Sequence, residues 1–152
     1  MNRKFFLAVL NILTLCIIIG AISLFFVNNT YLIGIVLILL SMLCLLSLLP
    51  FNISIKSALP DLYFGLIDNG ILAIMAIFGG HFGGVTGALL GGVVGNAITD
   101  GIAGIFEGYS AEKLRLHLVS VESSMLKSAV GIMAGCLLGA GVVLFVANIL
   151  NF

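Results

Sequence analysis

Two aspartates lie inside long apolar stretches of the sequence, where a carboxylate is costly. Asp68 lies about seven residues into one stretch, and Asp100 about eight residues before the end of the next. At 1.5 Å per residue, both are roughly 10–12 Å from the same side of a membrane. Such residues normally face the interior of a helix bundle and mark ion pathways. The pair predicts a cation site; the alternative is that the acids only hydrogen-bond to neighbouring backbone.

Helical phase places further candidate ligands near these two aspartates. At about 100° per residue, each of the two helices carries one polar stripe. The predicted metal ligands are Asp68, Asp100, Glu107, Asp61, Asn96, Asn69 and Met75. Carboxylate and amide oxygens suit Mg, Ca and Mn, whereas a thioether shifts the preference toward softer transition metals. Met75 has the alternative role of apolar filling. We expect the metal ion as a substrate and predict no cofactor.

The predicted site also involves protons. Two carboxylates at one depth repel each other when no cation is bound, so binding of a divalent ion would release a proton. We therefore expect metal movement to be coupled to proton movement in the opposite direction.

The composition is that of a membrane domain. The 152 residues are 62% hydrophobic and 8% charged, whereas a soluble domain carries about 25% charged residues. Six basic and six acidic residues cancel, which argues against a nucleic-acid partner. The three cysteines lie in separate apolar runs and predict neither a disulfide framework nor a zinc site. With two histidines, both at membrane boundaries, no catalytic constellation is visible. We do not expect an enzyme.

Five apolar stretches are each about long enough to span a bilayer, which takes roughly 20 residues. They cover residues 5–27, 31–49, 61–80, 83–108 and 125–149. We predict an all-α, polytopic integral membrane protein with five transmembrane helices in one membrane domain, residues 1–152. Residues 1–50 would form two lipid-facing helices. Residues 60–152 would form a three-helix, Gly-rich inner bundle that holds the intramembrane acids.

The basic residues predict the orientation of these spans. With the N-terminus in the cytoplasm, five spans place all six Lys and Arg residues on the cytoplasmic side. The opposite side, with the C-terminus, receives none, as the positive-inside rule requires. The alternative for the first span is a cleaved signal peptide, but its apolar run is longer than the usual 7–15 or so residues.

Glycines repeat at intervals of four on the last two predicted spans. The two stripes are Gly87, Gly91 and Gly95, and Gly131, Gly135 and Gly139. Small residues at this spacing let helix backbones approach closely in lipid. The stripes therefore predict tight helix packing, with the acids of the fourth span on its other side.

Two segments of the second half carry distinctive motifs. Residues 64–71 read Phe-Gly-Leu-Ile-Asp-Asn-Gly-Ile, and residues 104–112 read Gly-Ile-Phe-Glu-Gly-Tyr-Ser-Ala-Glu. Residues 60–125 thereby resemble the vacuolar iron transporter family, with its Gly-x-x-Asp-Gly-Leu signature and its Gly-Glu-Tyr-x-Ser segment. The resemblance implies proton-coupled transport of ferrous iron or manganese through a dimer whose pathway lies between subunits. It implies Asp68 and Glu107 as pathway residues. In this chain Asn69 separates the Asp–Gly pair, and two helices precede the matching region.

The sequence thus predicts proton-coupled transport of a divalent metal cation of the iron or manganese class, by a homo-oligomer in a lipid bilayer. One alternative is a non-catalytic membrane subunit or assembly protein that packs against partner subunits through its glycine stripes. Another is a membrane enzyme or lipid-handling protein. Isolation as a stable homo-oligomer would favour transport, and degradation without a partner would favour the subunit.

Overall fold

The computed structural model describes residues 3–114 and 121–151, and every element in these ranges is helical. Side chains are described for residues 5–29, 31–102 and 125–151. The helices are α1 (Arg3–Phe26), α2 (Thr30–Leu46), α3 (Leu59–Leu114) and α4 (Val121–Ile149), with short 3₁₀ helices at Leu49–Phe51 and Ile55–Ala58. Four helices are long and apolar enough to cross a membrane, which indicates a membrane protein.

Local sequence signals account for the ends of α2 and the start of α3. The Asn29 side chain caps α2 by accepting a hydrogen bond from the Leu32 N–H at 3.3 Å, as Asn commonly does at a helix start. Pro50 follows α2 within the first 3₁₀ helix. Pro60 lies in the first turn of α3, where its missing N–H has no helical partner to lose.

Helix α3 is too long for a single crossing and reverses direction near its middle. The apolar stretch Ile55–Ile102, which includes the preceding 3₁₀ helix, is 48 residues long. A straight helix of that length would extend about 70 Å, against about 30 Å of hydrocarbon. Gly83 (φ −129°, ψ 15°) and Gly84 (φ 56°, ψ −139°) leave the helical region, and Gly84 adopts a positive φ that side chains with a Cβ avoid. The first arm (59–82) and the second arm (85–114) pack antiparallel.

The two arms meet at main-chain distance through glycine. A Cβ added to either Gly79 or Gly87 would collide with the carbonyl of the other residue. A Cβ on Gly91 would likewise collide with the carbonyl of Met75. The glycine stripe of the second arm is therefore the face that rests on the first arm, because small residues allow this approach.

Helix α4 packs parallel to the first arm through its own glycine stripe. Gly135 faces the carbonyl of Leu62, and Gly139, one turn further, faces the carbonyl of Leu66. Because both numbers rise together, the two segments run in the same direction. The glycines of both stripes thus contact helices of this chain.

On its other side α4 packs antiparallel to α2. The Ser41 hydroxyl of α2 donates to the Ala134 carbonyl at 2.7 Å. Further along α4, a Cβ on Gly141 would lie 2.9 Å from the carbonyl oxygen of Gly34. Residue numbers therefore fall along α2 as they rise along α4, which means that the two helices are antiparallel. Helix α4 is thus the central helix, between α2 and α3.

Helix α1 lies at the edge of the molecule, against α2 and α4. Asn11 donates to the Ser47 hydroxyl at 3.3 Å, and Leu15 packs into the core with Cys44 and Leu48. The outward surface is apolar: Leu24 is 74% exposed, for example. Such a surface is suited to lipid.

Candidate functional site

Asp68 lies in a group of polar side chains between the two arms and α4, in which Asp68 and Thr99 are buried and Asn69 and Cys136 are half-buried. Thr99 of the second arm hydrogen-bonds through its hydroxyl to Asp68 Oδ1. Asn69 Nδ2 donates to Asp68 Oδ2 at 3.2 Å and lies 2.7 Å from Cys136 Sγ on α4. Asp68 is 8% exposed and Thr99 is 5% exposed. We call these four residues the Asp68 cluster.

The Thr99 hydroxyl has more than one acceptor within reach. Its oxygen lies 3.1 Å from the carbonyl oxygens of Gly95 and Asn96 as well as beside Asp68. A hydroxyl has one proton to donate and two lone pairs to accept with. It can donate to a carboxylate at Asp68, or accept from a carboxylic acid there while donating to its own helix. The cluster can therefore be hydrogen-bonded with or without a proton on Asp68.

Asp61 lies two turns before Asp68 on the first arm and already has a cationic neighbour. The Ser128 hydroxyl donates to Asp61 Oδ1 at 2.7 Å, and Lys127 Nζ lies 3.8 Å from Asp61 Oδ2. Both side chains of the ion pair are partly exposed, at 29% for Lys127 and 22% for Asp61. Asp61 is thus paired with the Lys127 ammonium near the N-terminal ends of α3 and α4, whereas the described partners of Asp68 are neutral.

Asp100 and Asn96 lie on the second arm, on a side of that helix that does not face Asp68. Asp100 is exposed, and Asn96 Nδ2 donates to its Oδ2 at 2.6 Å. Because consecutive helical residues are about 100° apart, the inward direction of Thr99 turns Asp100 away from the first arm. The predicted metal ligands are therefore distributed over separate places: Asp61 with Lys127, Asp68 with Asn69, and Asp100 with Asn96.

Met75 and Glu107 complete the predicted set. Met75 is half-buried and packs between the arms, where its Cβ lies 3.2 Å from the position of a Cβ added to Gly95. The side chain of Glu107 lies outside the described residues. Among the side chains that the structure describes, no group of three or more His, Cys, Asp or Glu residues is placed to hold a metal ion.

Two members of the Asp68 cluster, Thr99 and Cys136, were not predicted from the sequence. Thr99 continues the stripe of Gly87, Gly91 and Gly95 by one more interval of four. Extending the stripe by that step would have placed a hydroxyl on the face that packs against the first arm. Cys136 follows Gly135 directly, and no pattern in the sequence connects it to Asn69.

The described residues thus form an all-helical protein of the membrane class, and the carboxyl group of Asp68 is buried between its helices. Comparison with models of known protein families, with curated protein sequences and with solved structures found no match for this chain.

Proposed function

We propose that this protein transports a divalent metal cation of the iron or manganese class across a membrane, coupled to protons, with Asp68 as the intramembrane binding group. The observation that carries the proposal is the burial of Asp68 within an apolar helical hairpin. An ionisable residue in that setting is costly and typically marks an ion pathway. The oxygens of Asp68, Asn69 and Thr99 suit a hard divalent cation, and the Cys136 sulfur shifts the preference toward transition metals.

The proposal includes five membrane crossings, since each arm of α3 is long enough for one. The 24 positions of the first arm (59–82) extend about 36 Å. The parallel packing of α4 on this arm, and the antiparallel packing of α2 on α4, support crossings in alternating directions. Lys56 and Lys127 then lie on one side with the N-terminus, which the positive-inside rule assigns to the cytoplasm. A reporter fused to the C-terminus should read out on the opposite side; a cytoplasmic signal would contradict the five crossings.

Asp61 is the proposed cytoplasmic contact on the way to Asp68. The two aspartates are seven residues apart on one arm, or about 10 Å. A cation that approaches Asp61 replaces the Lys127 ammonium, whose 3.8 Å contact with Asp61 is long and partly exposed and therefore weak. Asp68 then receives the cation in a site with no fixed cation among its described partners.

The test is metal flux into liposomes that contain the purified protein. Asp68→Asn should abolish flux of Mn²⁺ or Fe²⁺, because the amide keeps the size of the side chain but not its charge. If Asp68→Asn folds and transports like the wild type, the proposal is wrong. Thr99→Val provides a second variant, which removes a hydrogen bond to Asp68 and should reduce flux, whereas Thr99→Ser should restore it.

Asp100→Asn distinguishes two forms of the pathway. If flux persists in this variant, the pathway is confined to the space between the arms and α4. If flux is lost, the pathway includes both faces of the second arm, as the polar stripes of the sequence predicted. In both cases the flux of Asp100→Asn is compared with that of a folded Asp68→Asn protein, which should show none.

A role as a non-transporting membrane subunit is the second candidate. One observation favours it, namely the exposure of Asp100 on an apolar helix. The glycines of both stripes contact helices of this chain, so a partner would have to bind elsewhere.

A further inference from the structure

The second arm exposes a regular face on the side away from the first arm. Leu89, Val93, Asn96 and Asp100 follow one another at intervals of four, three and four residues. Leu89 is 65% exposed and Val93 is 66% exposed, Asp100 is exposed, and Asn96 is half-buried. This spacing is that of the contact positions of a two-helix coiled coil. We call these four residues the outer seam.

Asp100 lies deep enough in the membrane that its carboxylate needs a polar or charged partner. Asp100 lies 16 residues after Gly84, which is about 24 Å along the helix from the turn. With the turn at one membrane surface, the carboxylate lies about 6 Å inside the opposite surface of about 30 Å of hydrocarbon. Asn96 offers it a hydrogen bond but no charge. Acids at such depths pair with another polar or charged group rather than face lipid.

We propose that the outer seam binds a transmembrane helix of another membrane protein, and that this helix carries a Lys or Arg at the depth of Asp100. Charge complementarity identifies this occupant. The apolar residues Leu89 and Val93, which lie between the turn and Asp100, supply the packing surface. The ion pair with Asp100 supplies the register, as a single polar contact position does in a coiled coil. The inference rests on the proposed membrane crossing of the second arm, which the C-terminal reporter tests separately, and not on the transport of metal ions.

A second copy of this chain fits the outer seam less well. Its basic residues are Arg3, Lys4, Lys56, Lys113, Arg115 and Lys127. These residues flank the apolar stretches or lie at their ends, and Lys127 is already paired with Asp61. A two-fold pairing through the outer seam would therefore bring Asp100 against its own copy without a basic residue. Like charges in such a contact repel each other.

The test uses a synthetic transmembrane helix as the probe. The full-length protein carries a fluorescent donor at its C-terminus and is placed in phosphatidylcholine vesicles. The acceptor-labelled peptide has about 21 Leu and Ala residues, with a single Lys about 16 residues from its outer end. A matched peptide has Leu at that position. We expect the Lys peptide to bind about tenfold more tightly than the Leu peptide, and Asp100→Asn to remove this preference.

Neighbouring valines provide a matched control for the surface. Val93 belongs to the outer seam, whereas Val94 is 45% exposed and lies about 100° around the helix. Val93→Trp should abolish binding of the Lys peptide, and Val94→Trp should leave it unchanged. Equal binding of the Lys and Leu peptides to the wild type, or equal loss in both Trp variants, would overturn the proposal. Energy transfer between two labelled copies that Val93→Trp alone removes would assign the seam to a second copy and overturn it as well.

Discussion

Replacement of Gly87 by alanine tests the packing of the hairpin directly. The new Cβ would collide with the main-chain carbonyl of Gly79. Main-chain atoms cannot rotate away as a flexible side chain does, so the two arms must separate. Gly101→Ala, on the same arm, is the matched control, because nothing lies within 4 Å of its added Cβ.

The magnitude follows from the difference between these two substitutions. Both exchange glycine for alanine in a helix and gain a similar propensity term of up to about 1 kcal/mol, which cancels in the comparison. The steric term that remains for Gly87 is an overpacking cost of about 1–3 kcal/mol. We therefore expect Gly87→Ala to be less stable than Gly101→Ala by about 1–3 kcal/mol.

The assay is an SDS titration in mixed micelles that yields the free energy of unfolding. The Cys44 side chain is fully buried, so its reaction with a thiol reagent, measured on the peptide that contains Cys44, reports unfolding. Gly79→Ala should behave like Gly87→Ala. The double variant should cost less than the sum of the two, because the arms are already apart. Equal stability of Gly87→Ala and Gly101→Ala would refute the antiparallel packing.

Three further variants test single contacts. Thr99→Val leaves Asp68 Oδ1 without its donor and should lower the free energy of unfolding by about 1–3 kcal/mol in the same titration, with Thr99→Ser close to the wild type. Ser41→Ala removes the hydrogen bond to the Ala134 carbonyl and should cost about 0.6 kcal/mol; a loss above about 2 kcal/mol would mean that Ser41 does more than hydrogen-bond. Lys127→Met breaks a long, partly exposed ion pair and should lower stability by less than about 1 kcal/mol; this difference should shrink as added salt screens the pair in the wild type.

The helix ends were largely predictable because they depend on local sequence. Asn29, Pro50 and Pro60 interrupt the apolar runs, and the structure ends or begins helices near each of them. The glycine-rich break between the predicted spans 61–80 and 83–108 also corresponds to a reversal, although the structure keeps residues 81–82 helical and turns at Gly83 and Gly84. Local signals therefore determine the lengths and directions of the helices.

The partners of the acids were harder to predict because they depend on which helix faces meet. Helical phase placed Asp68 and Met75 on one face of the first arm, and the structure packs that face against the second arm. The residues opposite are the glycine stripe and Thr99 rather than Asp100. Close approach of the backbones requires small residues, so the stripe occupies the contact and the carboxylate of Asp100 lies outside it. A single sequence shows each face but not which faces meet.

The central position of α4 has a consequence for biosynthesis. Helix α4 covers faces of both α2 and the first arm of α3, yet it follows them in chain order. During synthesis at about 5–20 residues per second, the earlier segments enter the membrane before their common neighbour exists. Gly34, Ser41 and Gly65 are then without the helix they contact in the finished protein. Until α4 emerges from the ribosome, these surfaces therefore have neighbours other than the helix that covers them in the finished protein.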